Sequence, residues 1–177
     1  LAHTVIRTSI RSNRLQLQVS VRNDGALPFD GELLAQVQTG AQAGPDLPQR
    51  KVRLAPGQAA TLNLDAPWSN YVAWSPVNPH LYELDLLLSY GRVVDATRER
   101  LGFREVWMEG HRVLLNGQPQ RWYGEWAHKA HAHWLRPAYI RHWYQQLRDL
   151  NMNYARHHKL PYHQDYLEIA DEMGILV

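Results

Sequence analysis

The hydrophobic pattern of this chain changes period once, near Trp107, and that change limits what it can fold into. Before Trp107 the period is two. Leu15, Leu17, Val19 and Val21 face one way, and Gln16, Gln18, Ser20 and Arg22 the other, which is the signature of a half-buried antiparallel strand. Tyr82, Leu84, Leu86, Leu88 and Tyr90 repeat the alternation. Asn23-Asp24-Gly25 is a turn signal. Further strand-like runs fall at 31–39, 50–55, 59–65, 92–98 and 101–107, with Gly and Pro between them. Seven or eight short strands at this spacing predict an immunoglobulin-like antiparallel β-sandwich rather than a parallel sheet.

Past Trp107 the pattern is mixed. Arg112 to Leu115, Asn116-Gly117 and Gln118 to Trp122 predict a tight hairpin with a type I′ turn. Pro137 suits the first turn of a helix, and Ile140, Trp143, Tyr144, Leu147 and Leu150 follow at helical spacing. Asn153 to His157 predicts a strand. A second helix runs from His163 to Met173, with Tyr166, Ile169, Ala170 and Met173 on one side and Gly174 just past its end. Ile175-Leu176-Val177 opens another strand. Strands alternating with helices imply right-handed βαβ crossovers and a parallel sheet.

Composition narrows the function classes. The net charge is +2, and the basic residues are scattered rather than gathered in a stripe, so no nucleic-acid partner is expected. No apolar run approaches the length of a membrane span, so no membrane partner is expected either. The start of the chain shows no basic-then-apolar leader pattern. Cysteine is absent, which removes disulfides and thiolate metal sites but leaves periplasmic, secreted and cytoplasmic locations all open. Five of the seven Trp residues lie at Trp107, Trp122, Trp126, Trp134 and Trp143. Aromatic rings fill cores and also stack on sugar C–H faces. His128, His131, His133, His157, His158 and His163 match no metal-binding spacing and read as pocket-lining and surface residues.

Several motifs resemble a known family. Trp74-Ser75-Pro76, Pro79-His80-Leu81-Tyr82-Glu83-Leu84, Asp95 and Gly102-Phe103-Arg104-Glu105-Val106 resemble the end of the sandwich domain of glycoside hydrolase family 2. That family includes β-galactosidases, β-glucuronidases and β-mannosidases. Leu115-Asn116-Gly117 and Gly124 followed by His128 resemble its opening hairpin and first barrel strand. Asn151-x-Asn153-x-x-Arg156, Pro161 and Asp171-Glu172-x-Gly174 resemble its second barrel strand and second helix. The resemblance implies a sandwich over residues 1–108 and the N-terminal part of a (β/α)8 TIM barrel over residues 109–177.

It also implies a retaining glycosidase acting on β-linked sugars such as a galactoside or a glucuronide. Such an enzyme uses two Glu carboxyls about 5–5.5 Å apart. In the family the acid/base follows an Asn. This chain has no Asn-Glu pair, so the resemblance assigns it no catalytic residue and places both carboxylates on later strands. Arg156 matches an arginine beneath the sugar pocket that orients and ionises a carboxylate. His128 matches a pocket histidine at the tip of strand one. Trp126, His158 and Lys159 complete the candidate sugar contacts. Lys159 stands where the family carries a histidine, and a cation there points to an acidic sugar such as a uronide. No cofactor is needed. The expected partners are a carbohydrate substrate and the rest of the barrel, with a homo-oligomer left open. A barrel segment standing alone would expose raw sheet edges and an apolar patch.

Glu105 is expected in an ion pair on the sandwich's last strand. Glu125 is expected on barrel strand one, facing either way. Neither is expected to be catalytic. Two alternatives remain: a non-catalytic carbohydrate-binding or accessory protein, and a sandwich that serves as an interaction module. An Asn-Glu pair after a later strand would separate them from the enzyme reading.

Overall fold

The alternation at 14–22 forms a strand hydrogen-bonded on both sides in the computed structural model, which describes residues 1–40, 42–127, 135–157 and 163–177. Strands β1 (His3–Ser9), β2 (Arg14–Arg22) and β6 (Ala59–Pro67) make one antiparallel sheet in the order β1-β2-β6. Strands β3 (Phe29–Thr39), β4 (Gln42–Ala43), β5 (Arg50–Leu54), β7 (Tyr82–Tyr90) and β8 (Arg92–Leu101) make a second, in the order β4-β3-β7-β8, with β5 also paired to β3. Leu15, Leu17, Val19 and Leu64 of the first sheet share one buried cluster with Leu33, Val37, Leu84 and Leu86 of the second. Two antiparallel sheets around one core are a β-sandwich, and each fully buried Leu contributes about 2 kcal/mol of transfer free energy. Aromatic rings complete this core: Tyr71 stacks on Phe103 at 3.7 Å, and Trp68 meets Phe103 edge-on at 5.1 Å.

The sandwich departs from the sequence expectation in three places. Strand β1 was not foreseen, because its residues are at most half-buried and carry no clean alternation. The 101–107 run is not a sandwich strand: β8 stops at Leu101 and the next strand begins at Val106. Tyr90 is 62% exposed rather than inward, because the β7–β8 register shifts between Leu88 and Ser89.

Glu105 lies in the segment after β8, so the expected ion pair is present but not on a strand. Its carboxylate pairs with the Arg11 guanidinium and accepts from the Ser9 hydroxyl and the Arg11 amide, both at 3.0 Å. Beside it Thr8 Oγ1 donates to the Arg104 carbonyl at 2.6 Å. Partial burial alone would raise the Glu105 pKa, but the bonds from Arg11 and Ser9 outweigh it and hold the carboxyl below its ordinary value of 4.5. A carboxyl that titrates lower when folded stabilises the fold fully above the unfolded pKa, and that contribution is lost as pH falls through the folded value. Glu105→Gln should therefore cost about 1–2 kcal/mol near neutrality. Denaturant midpoints should show the gap to the unsubstituted chain closing below about pH 4. A gap that persists unchanged in acid would contradict this account.

The first unit comprises Leu1–Val72 and Tyr82–Glu105, and the second Ala73–Leu81 and Val106–Val177. In the second, β9 (Val106–Glu109), β10 (Arg112–Leu115) and β11 (Gln118–Pro119) form a small antiparallel sheet. Leu115 pairs with Gln118 across a two-residue turn, with φ of 53° at Asn116 and 84° at Gly117. Positive φ at both positions is the expected type I′ geometry. Strand β12 (Gly124–Ala127), helix α1 (Pro137–Asp149), strand β13 (Tyr154–His157) and helix α2 (Gln164–Met173) follow. Ile140, Trp143, Tyr144 and Leu147 of α1 pack with Tyr166, Ile169 and Ala170 of α2. Leu150 is exposed because it lies past the end of α1.

Among the described residues, β12 and β13 form the one parallel strand pair, and a parallel bridge joins Tyr154 to Leu176. No helix among the described residues is long and apolar enough to cross a membrane. Residues 73–81, encoded between β6 and β7, belong to this unit. Trp74 is fully buried and its indole Nε1 donates to the Asp171 carbonyl at 2.7 Å. Asn116 Nδ2 donates to the Trp74 carbonyl at 2.8 Å.

Candidate functional site

The parallel pair β12–β13 carries the candidate residues that the structure describes. Its register is Gly124↔Tyr154, Glu125↔Ala155, Trp126↔Arg156 and Ala127↔His157. Side chains alternate between the two faces of such a pair. Ala155 is fully buried in the core formed with α1 and α2. His157 meets the Tyr166 ring edge-on at 5.4 Å, and Glu125 accepts from Trp143 Nε1 at 3.4 Å. Glu125, Ala155 and His157 therefore face the helices, which settles the direction that the sequence left open for Glu125.

Trp126 and Arg156 take the opposite face, side by side in register. Trp126 is 51% exposed and Arg156 is exposed. Among the described residues Arg156 has no ion-pair partner. A guanidinium next to a half-exposed indole can pair with a carboxylate while the ring stacks on a sugar. Toward the start of the strands, Trp122 stacks on Tyr154 at 5.2 Å.

Gly124 lets the two strands approach: a Cβ there would lie 1.7 Å from the Tyr154 carbonyl oxygen. Asn153 fixes the base of the pair. Its Nδ2 donates to the Arg121 carbonyl at 3.1 Å, and its Oδ1 accepts from the Tyr123 amide at 3.0 Å. Its carbonyl also accepts from the Leu176 amide at 2.8 Å. This Asn stood in the sequence motif, but its role as a bridge between three chain segments was not legible there.

Ala127 and His157 are register partners, so the chain leaves both strands at one edge. His128, His158 and Lys159 follow directly in sequence but lie outside the described residues, as do His131 and His133. The described residues contain no cluster of His, Asp or Glu able to hold a metal ion. Glu105 and Glu125 sit in different units, one held by Arg11 and the other facing helix α1.

Comparisons with known proteins agree on one group. The sequence profile of Glycosyl hydrolases family 2 matches residues 1–104. A Beta-glucuronidase of Paenibacillus borealis is 32% identical over 126 residues, covering 68% of this chain and 20% of its own. A Beta-galactosidase of Aeromonas hydrophila is 31% identical over 109 residues, covering 59% of this chain and 11% of its own. The chain thus spans about a fifth or less of the length of these relatives. Among solved structures, the GH2 beta-galacturonidase of Eisenbergiella tayi bound to galacturonate superposes with a TM-score of 0.86 at 26% identity. The match covers 99% of this chain and 31% of that one.

Proposed function

The chain belongs to glycosyl hydrolases family 2, and from that membership we propose that it is part of a retaining β-glycosidase. In this reading residues 1–108 are an immunoglobulin-like sandwich and residues 109–177 the first strands of a (β/α)8 barrel. The carrying observation is the placement of Trp126 and Arg156 side by side on the face of β12–β13 that the helices leave bare. In a barrel that face is the interior, and substrates bind at the C-terminal ends of its strands. Arg156 orients a carboxylate and keeps it ionised for attack on the anomeric carbon. Trp126 stacks on the sugar ring, while His128, His158 and Lys159 complete the pocket. The family resemblance implies an acid/base Glu directly after an Asn, and this chain has no Asn-Glu pair, so in this reading both catalytic carboxylates come from other parts of the enzyme. One protonates the leaving oxygen and the other forms the glycosyl-enzyme bond that water then cleaves.

The substrate we propose is a β-linked uronide. The relative from Paenibacillus borealis is named a β-glucuronidase and the Eisenbergiella tayi structure a β-galacturonidase. Lys159 supplies a cation for the sugar carboxylate. The test is hydrolysis of a panel of aryl β-glycosides by the whole protein. Preferential cleavage of a uronide is expected, and Lys159→Ala should lower kcat/KM for it by about tenfold or more relative to the neutral galactoside. Unchanged uronide hydrolysis in that variant would sink the uronide assignment. Failure to cleave any member of the panel would favour a non-catalytic carbohydrate-binding role.

A further inference from the structure

We propose that His157 is a positioning residue that clamps the C-terminal end of β13 to both helices and thereby holds Arg156 in place. The argument begins with one proton. The Tyr144 hydroxyl lies 3.1 Å from the Tyr166 carbonyl oxygen, which can only accept, so the hydroxyl hydrogen is committed there. The Tyr144 oxygen also lies 3.3 Å from His157 Nε2 and must accept from it. His157 is thereby assigned a hydrogen on Nε2. The result is a relay from β13 through the α1 hydroxyl to the α2 backbone, and the Tyr166 ring meets the imidazole edge-on at 82°.

The clamp sits where a displacement matters most. His157 is the last residue of β13, and the chain continues into the segment carrying His158 and Lys159. Arg156 precedes it and projects from the opposite face. A rotation of the strand end that moved His157 off Tyr144 would swing Arg156 in the other direction. In enzymes a misplacement of about 1 Å can cost a hundredfold in rate. Tyr144 is fully buried and the Tyr166 carbonyl belongs to the first turns of α2, so the relay is anchored in the unit's core.

The role of Arg156 rests on the glycosidase reading, so the experiment has one arm that does not. In the whole protein with nitrogen-labelled histidine, NMR at about pH 8 should show a ring signal that vanishes in His157→Gln. That signal should report hydrogen on Nε2, and it should shift in Tyr144→Phe, which removes only the hydroxyl. In the second arm, His157→Phe should lower kcat/KM for an aryl β-glycoside by about tenfold, through kcat more than KM. His157→Gln, whose amide N–H can take the place of Nε2–H, should stay within about threefold of the unsubstituted protein. Absence of hydrogen from Nε2, a signal indifferent to Tyr144→Phe, or equal damage from Gln and Phe would each overturn the proposal. If the unsubstituted protein cleaves no glycoside, the glycosidase reading fails, and the ring signal alone decides the clamp.

Discussion

Arg156→Ala is expected to lower kcat/KM by about a hundredfold in the proposed glycosidase, while the denaturant midpoint hardly moves. The two halves of this expectation have separate causes. Arg156 is exposed on β13 and has no ion-pair partner among the described residues, so its removal leaves no buried group unsatisfied. Surface changes of that kind stay within about 0.5 kcal/mol. On the proposed glycosidase reading, the rate falls because a carboxylate that must attack as an anion loses the cation that orients it and keeps it ionised. Arg156→Lys should recover only part of the rate, since an ammonium offers a point charge and no planar fork. Steady-state kinetics beside a denaturation curve decide the matter. A large stability loss in Arg156→Ala would mean that the residue is a structural support and not a pocket residue.

The second large effect is on stability. Gly174→Ala should destabilise the second unit by about 3 kcal/mol. Gly174 follows α2 with φ of 71°, a left-handed conformation that costs any residue with a Cβ. A Cβ there would also lie 2.3 Å from the Pro76 carbonyl oxygen. Asn tolerates the left-handed region better than Ala does. Gly174→Asn should nevertheless fail almost as badly, because the obstacle is backbone and cannot rotate away. Unfolding followed by Trp74 burial would compare the two variants. If Gly174→Asn were close to neutral, strain alone would explain the glycine and the approach of Pro76 would carry no weight.

What was legible in the sequence is what neighbours along the chain decide. The inward sets of β2 and β7 follow from alternation, the Asn116-Gly117 turn from its need for positive φ, and the buried stripe of α1 from helical spacing. The helix terminator Gly174 was legible for the same reason. What was not legible depends on partners far away in sequence. Strand β1 is defined by its pairing with β2 and not by its own pattern. Val106 joins β10 instead of continuing β8, a choice between two partners that its local sequence does not make. In the candidate site, the motif picked out Arg156 and Asn153 by type. The face each residue takes came from the register with Gly124–Ala127 and from the burial of Ala155. Glu125 shows the limit well: its strand was read correctly, but its direction follows from its pairing with buried Ala155 and from the indole of Trp143 on the next helix.

The placement of Ala73–Leu81 bears on how such a protein can be inherited. These residues are encoded between two strands of the sandwich, yet they belong to the other unit. A single genetic crossover between codons 105 and 106 would transfer the rest of that unit to a new host without Trp74 or Pro76. The recipient would keep an α2 whose Asp171 carbonyl has lost the indole N–H that it accepts across 97 positions of sequence. Gly174 would keep its left-handed backbone with no Pro76 beside it. Segment exchange at the apparent domain junction is thus penalised, and drift at 73–81 is answerable to positions 116, 171 and 174. An exchange that keeps the second unit whole has to carry residues 73–81 with it.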